Sequence, residues 1–289
     1  MVLLRLLFIL AAVAVSTPQA RAGGASTDMP PATAQPHPPT ISDSNTAPLT
    51  VVKDGTADAH VDVAAGETHV KPTGEPASTT KLPAPYEVSY SANYNGLAID
   101  NKRVLSKTAD GYLLTTTAKN FLGTISEEES LSINDKGEII PRQYNYKRSI
   151  FGIKRKESTI FNRQKGIVTN TYKDRTVELG LEQSLLAPLS YQLQMRRDLL
   201  EGKSDFQYRV VSRNAIKDYH YRVIDTEILD TPLGKLDTLI IERVRDSNKR
   251  ETYLWLAQSL DYLPVKLTHK EDGETHEMLI KSYKNPSVP

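Results

Sequence analysis

Few residues of this 289-residue chain have types and spacings that could do chemistry. Its last legible hairpin turns on Asp272-Gly273. A two-residue turn there sets Glu271 opposite Glu274, His269 opposite His276, Leu267 opposite Met278 and Val265 opposite Ile280. Two imidazoles facing each other across a ladder, with Cβ atoms about 5 Å apart, could grip one metal ion. Zinc wants a third or fourth ligand that the sequence does not identify, so we read His269 and His276 as a structural pair at a barrel rim and assign no metal and no cofactor. The densest run of carboxylates is Glu127-Glu128-Glu129. In a strand, Glu127 and Glu129 share a face with Ile125 and Leu131, while Glu128 takes the other. Catalytic acid pairs of glycosidases normally come from separate elements, so the run is expected to be a solvated strand face. There is no Gly-x-Ser-x-Gly elbow, no His-Glu-x-x-His helix and no cysteine. The usual routes to an activated serine, zinc-bound water or thiolate therefore lack a signal, and the expectation is a protein that is not an enzyme.

A basic cluster remains. Lys147, Arg148, Lys154, Arg155 and Lys156 flank an apolar centre at Ile150-Phe151-Gly152-Ile153, with Tyr144 and Tyr146 in the incoming segment. Such a mixture can hold single-stranded nucleic acid by charge and stacking. A formal net charge of only +1 argues against a general nucleic-acid binder. The same arrangement suits a membrane surface, the apolar tip entering the interface and the cations resting on phosphates. An ordinary hairpin with solubilising charges is the competing reading.

The elements that must position these residues begin at Tyr86, where strand-forming residues alternate with period two. Turn signals break them at Asn95-Gly96, Asp110-Gly111, Asn134 to Gly137, Lys165-Gly166, Leu233-Gly234, Asp246 to Asn248 and Asp272-Gly273. About a dozen strands so arranged predict a mainly β fold, an antiparallel meander forming a barrel or open half-barrel. One amphipathic helix interrupts it over Pro188 to Leu200, with Leu189, Leu193, Arg196 and Leu200 at helical spacing and Gly202 beyond the end. It is expected to close the core or to act as a lid. If the strands alternate up and down, one end of the meander is tipped by Leu97, Phe121, Leu122, Ile150, Phe151 and Ile153, and Lys147, Arg148, Lys154 and Arg155 stand beside it. Turn tips are normally hydrophilic, so this rim is the predicted functional mouth.

The N-terminal part is of another kind. Residues 1–22 combine Arg5, an apolar run from Leu6 to Val15 and Ala20-Arg21-Ala22, the pattern of a signal peptide cleaved after Ala22. The apolar run is shorter than the roughly 20 residues a spanning helix needs. Residues 23–82 contain no aromatic residue, eight prolines and seven acidic residues against three lysines. We read them as a disordered tether ahead of a β domain over 83–285. Export without cysteine points to a bacterial periplasm.

The stretch Thr231-Pro-Leu-Gly-Lys-Leu-Asp-Thr, then Tyr253-Leu-Trp-Leu-Ala, then Tyr262-Leu-Pro-Val-Lys-Leu, together with Leu189 to Arg196, resembles the bacterial family called domain of unknown function 3108. The resemblance runs from about Pro83 to Tyr283 and brings no assigned catalytic residue. The Trp-Leu and Leu-Pro-Val pattern also looks like that of the LolA and LolB lipoprotein-localisation carriers, which implies an open β half-barrel with an apolar interior. The expected function is thus a periplasmic binding module that accepts a lipid or another apolar ligand or contacts the envelope membrane. The alternative is a solidly packed module that docks an envelope protein.

Overall fold

The computed structural model describes residues 84–94, 97–247 and 249–286. The expected signal peptide, the expected tether and the Asn95-Gly96 turn lie outside them. The strands are, in chain order, β1 (Tyr86–Tyr94), β2 (Leu97–Thr108), β3 (Gly111–Asn120), β4 (Gly123–Ile133), β5 (Ile139–Ile150), β6 (Ile153–Asn162), β7 (Ile167–Tyr172) and β8 (Arg175–Gly180). A short β9 (Leu185–Leu186) and helix α1 (Ser190–Leu200) lead to β10 (Asp205–Ser212), β11 (Ala215–Thr231), β12 (Gly234–Val244), β13 (Arg250–Ala257), β14 (Leu263–Glu271) and β15 (Glu274–Lys284).

The period-two pattern produces these strands directly. On β3, Tyr112, Leu114, Thr116 and Ala118 face inward and are buried, while the residues between them stay partly exposed. All strands join one fifteen-stranded sheet in the order β8 through β1, then β15 down to β9, so the first and last strands pair at its centre. Every ladder is antiparallel except the short β9–β10 pairing. Irregularities at Ser89/Tyr90, Ser130/Leu131, Val223/Asp225 and Trp255/Leu256 bend the strands, as bulges do in curled sheets.

The two ends of the sheet approach each other at the β10–β11 turn. The backbone N–H of Arg213 donates to Glu157 of β6 (2.6 Å), and that of Asn214 to Asn170 of β7 (2.6 Å). The Asn214 amide also reaches the Arg175 carbonyl of β8 (3.2 Å). The curl is held here by side chain–backbone bonds, and the sheet stays an open meander.

Alternating strand direction gives the curl two ends. The lower one, with the turns after β2, β4 and β13, is closed by α1. Arg196 of the helix donates to the carbonyls of Asp261 and Leu260, and Arg197 to that of Lys136. Tyr191 enters the interior, its ring centroid 5.4 Å from Tyr219 and 6.0 Å from both Tyr208 and Tyr221. Leu189, Leu193, Met195 and Leu199 complete the buried face; Leu200, expected on it, is 49% exposed.

Candidate functional site

The upper end carries the turns after β1, β3, β5, β7, β10, β12 and β14. Two of its hairpin tips are built for close approach. In the first, the Asn120 side chain accepts the backbone N–H of Leu122 (2.9 Å) and of Gly123 (3.2 Å), which fixes the β3–β4 turn and leaves Phe121 projecting, 81% exposed. In the second, Phe151 and Gly152 of the β5–β6 turn both lie in the left-handed region, at φ 48° and 75°. Such a turn matches the twist of the flanking strands and is normally built from asparagine, aspartate or glycine. The Phe151 N–H donates to the Leu122 carbonyl (3.1 Å), tying the tips together. Gly123 permits the contact, since a Cβ at that position would stand 2.1 Å from the Ser149 carbonyl oxygen.

The predicted rim residues divide. Phe121, Phe151 (61% exposed) and Ile153 (49% exposed) form an exposed apolar tip, with Leu122 half-buried beside it. Ile150 and Arg148 do not belong to that tip. Both are buried, because β5 turns its even-numbered residues Tyr144, Tyr146, Arg148 and Ile150 to the interior. Leu97 begins β2, and its side chain lies outside the described residues.

The basic residues fall on both faces of the sheet. Lys147 sits opposite Lys156, and Ser149 opposite Lys154, on the outer face. Arg148 sits opposite Arg155 on the inner one, Arg155 remaining exposed. Like charges directly opposed on a ladder repel. The outer lysines, with Thr124 and Ser126 of β4, line a shallow groove of about 260 Å³ that begins below the phenylalanines. Hydroxyls and ammonium groups gathered beside an apolar tip can hold phosphate oxygens while the tip is buried in something apolar.

The helix does not cover this rim, since it closes the opposite end; of the two expectations, core closure holds and the lid over the rim does not. Its N-terminus also accounts for the acidic run. Glu127 and Glu129 are buried at 2% and 0% exposure, which corrects the expectation of a solvated face. One Glu129 carboxylate oxygen accepts the N–H groups of both Leu189 and Ser190 (2.9 Å each), so a strand residue caps a helix that has no side-chain cap of its own. Glu127 accepts the Tyr144 hydroxyl at 2.6 Å. Burial pushes both carboxyls up to about 7, opposed by these hydrogen bonds and by Arg103. Arg103, itself buried, donates to the hydroxyl of Tyr86 and the side chain of Gln192. These carboxylates are therefore internal fastenings. Sequence alternation places them inward, but the helix end that needs them is known only once the sheet has curled.

His269 and His276 face each other as expected. Thr252 shares a 2.8 Å hydrogen bond with Nδ1 of His269, and burial, with Arg245 next, pushes that imidazole down to about 4. Among the described residues no group of three histidine, cysteine or acidic side chains is placed to hold a metal ion.

Comparison with known proteins adds the family. No curated protein matches the chain. Among solved structures, it is similar to a β-barrel-like protein of domain of unknown function 1849 from Brucella abortus. The two share 9% identity and a TM-score of 0.48 over 70% of this chain and 97% of that one. Residues 86–279, all but the last few residues of the curled sheet, match the family described as protein of unknown function (DUF3108), and the chain belongs to that family.

Proposed function

We propose that this chain is an exported, non-enzymatic binding module whose upper rim engages the anionic surface of an envelope membrane. The observation that carries this reading is Phe151. A non-glycine residue held in the left-handed region costs about 1 kcal/mol, and this one gains little burial in return. Asparagine or glycine would make the same turn at lower cost. A large apolar side chain in a strained, exposed position suggests a use outside the fold. Phe121 beside it, and Lys147, Lys154 and Lys156 behind it, supply the remaining parts of an interfacial contact: apolar groups to insert and cations for phosphates. The signal-peptide pattern supports the compartment.

Co-sedimentation with vesicles tests the reading. The mature chain should pellet with phosphatidylglycerol vesicles, less with phosphatidylcholine, and progressively less as salt rises. The double variant Phe121→Ser, Phe151→Ser should lose most of that binding while keeping its thermal midpoint. Equal pelleting of variant and parent would remove the rim from consideration. A second reading has one observation in its favour: β8 has β7 as its one strand neighbour among the described residues, and beyond Arg175, whose carbonyl accepts the Asn214 amide, its outer edge is one that a partner strand could extend.

A further inference from the structure

The upper interior holds a second concentration of charge, separate from the rim and on the other face of the sheet. Arg148 points inward from β5, and Lys217 from β11 on the same face as Tyr219 and Tyr221. Arg243 lies opposite Tyr221 on β12, and Arg245 follows two residues later. Arg213 stands in the β10–β11 turn that reaches across to β6 and β7. These cations are graded in depth: Arg213, Lys217 and Arg245 are half-buried, and Arg148 and Arg243 are buried at 5% and 7% exposure. On the same wall Glu157 is the facing carboxylate, and it already accepts the Asn170 amide and the Arg213 backbone N–H. Glu271, the next acid round the mouth, lies opposite Arg250 and so faces a further cation.

Three of the guanidinium groups are also fixed in place. Arg243 stacks 4.2 Å from the centroid of Tyr219 and 5.9 Å from that of Tyr221. Arg245 donates to Thr252 (3.0 Å), which is bonded in turn to His269. Arg213 lies 5.7 Å from the centroid of Tyr172. Planar donors held against aromatic rings lose little freedom on binding and match the paired oxygens of a phosphoryl group. We propose that Arg148, Arg213, Lys217, Arg243 and Arg245 form an interior binding site for a phosphoryl anion, entered from the upper end of the curl.

The electrostatics agree with this geometry. Burial, then the neighbouring Arg213, lowers Lys217 to about 8, and burial with Arg243 lowers Arg245 to about 10. Cations kept close together and partly dehydrated repel one another, and an anion bound among them relieves both penalties. The site does not depend on the rim engaging a membrane.

The experiment compares three proteins by thermal unfolding and calorimetric titration: the mature chain, the double variant Lys217→Met, Arg245→Gln, and the double variant Phe121→Ser, Phe151→Ser. The probes are inorganic pyrophosphate, glycerol 1-phosphate and micelle-free dihexanoyl phosphatidylglycerol. Phosphoryl compounds should raise the midpoint of the mature chain with saturable dependence on concentration. The interior variant should bind at least tenfold more weakly. The rim variant should titrate like the parent, which separates failure of this site from failure of membrane binding. Tighter binding of the short-chain lipid than of pyrophosphate would assign the phosphoryl group to a lipid headgroup, and the reverse to a free anion. No saturable response to any of the three, or an interior variant that binds equally well, would overturn the proposal.

Discussion

The two ends of the curled sheet follow opposite rules. At the lower end, a helix is inserted, its N-terminal N–H groups are satisfied by a carboxylate from a strand, and its tyrosine packs among three others. At the upper end, large apolar side chains point into solvent, one from a strained backbone, and like charges are set opposite each other on both faces. Neither upper feature helps the chain fold. Stability is concentrated where the helix sits, and the other end is free to carry features that cost stability and suit binding.

The sharpest break of that contrast is at Glu129. Its replacement by alanine strands two buried N–H groups and leaves a void, an expected loss of about 3 kcal/mol in urea denaturation. Glu129→Gln keeps an amide oxygen in the same place and should lose about 1 kcal/mol. If the two variants were equally mild, the lower end would not be the stabilising one.

Much of this was legible in the chain and some was not. Period two with turn residues yields the strands, and a two-residue turn yields the register of the last ladder, since Glu271–Glu274, His269–His276 and Leu267–Met278 pair as the sequence predicts. The tips at Phe121 and Phe151 follow from counting strands up and down. Ile150 and Arg148 fall outside the tip because alternation assigns them to the strand and not to the turn, and the interior side of β5 is legible only when Tyr144 and Tyr146 are counted with them. The spacing yields helix α1 and its part in closing the core, but not which end it closes, because a plug and a lid have the same periodicity. The interior cations come from β5 and from β10 to β12, distant in sequence, so only the curl brings them together.

Gly123 tests the join between the two tips. A methyl group there meets the Ser149 carbonyl and must push the β4 and β5 ends apart, so Gly123→Ala should cost on the order of 2 kcal/mol. It should also weaken vesicle binding with both phenylalanines still present, which would show that their spacing matters.

A smaller effect is expected from pH. Glu127 and Glu129 have folded values near 7 against an ordinary 4.5, so between those limits the folded state holds more protons than the unfolded one. Their contribution therefore falls as pH rises from 4.5 to 7. His269 has the opposite sign. Its folded value of about 4 against 6.5 means that the unfolded state binds more protons, so stability is lost as pH falls from 6.5 to 4. Over the window they share, the two carboxyls outweigh the one imidazole, so stability falls on balance as pH rises from 4.5 to 7. Glu127→Gln removes one of the two raised carboxyls and should make that fall shallower. His269→Asn removes the opposing contribution and should make the fall steeper, both being read from thermal midpoints across pH.

The smallest expected change is also the one that separates use from folding most cleanly. Phe151→Asn keeps the left-handed turn and replaces a residue that dislikes it with one that tolerates it, so the folded protein should gain up to about 1 kcal/mol. The same substitution removes an aromatic ring from the rim, and vesicle binding should fall. A stabilising substitution that costs binding is what a position held for an outside partner predicts. Calorimetric unfolding and vesicle co-sedimentation on one preparation give both quantities. Were Phe151→Asn to lower stability instead, the ring would be packing on the fold, and the upper end would follow the same rule as the lower.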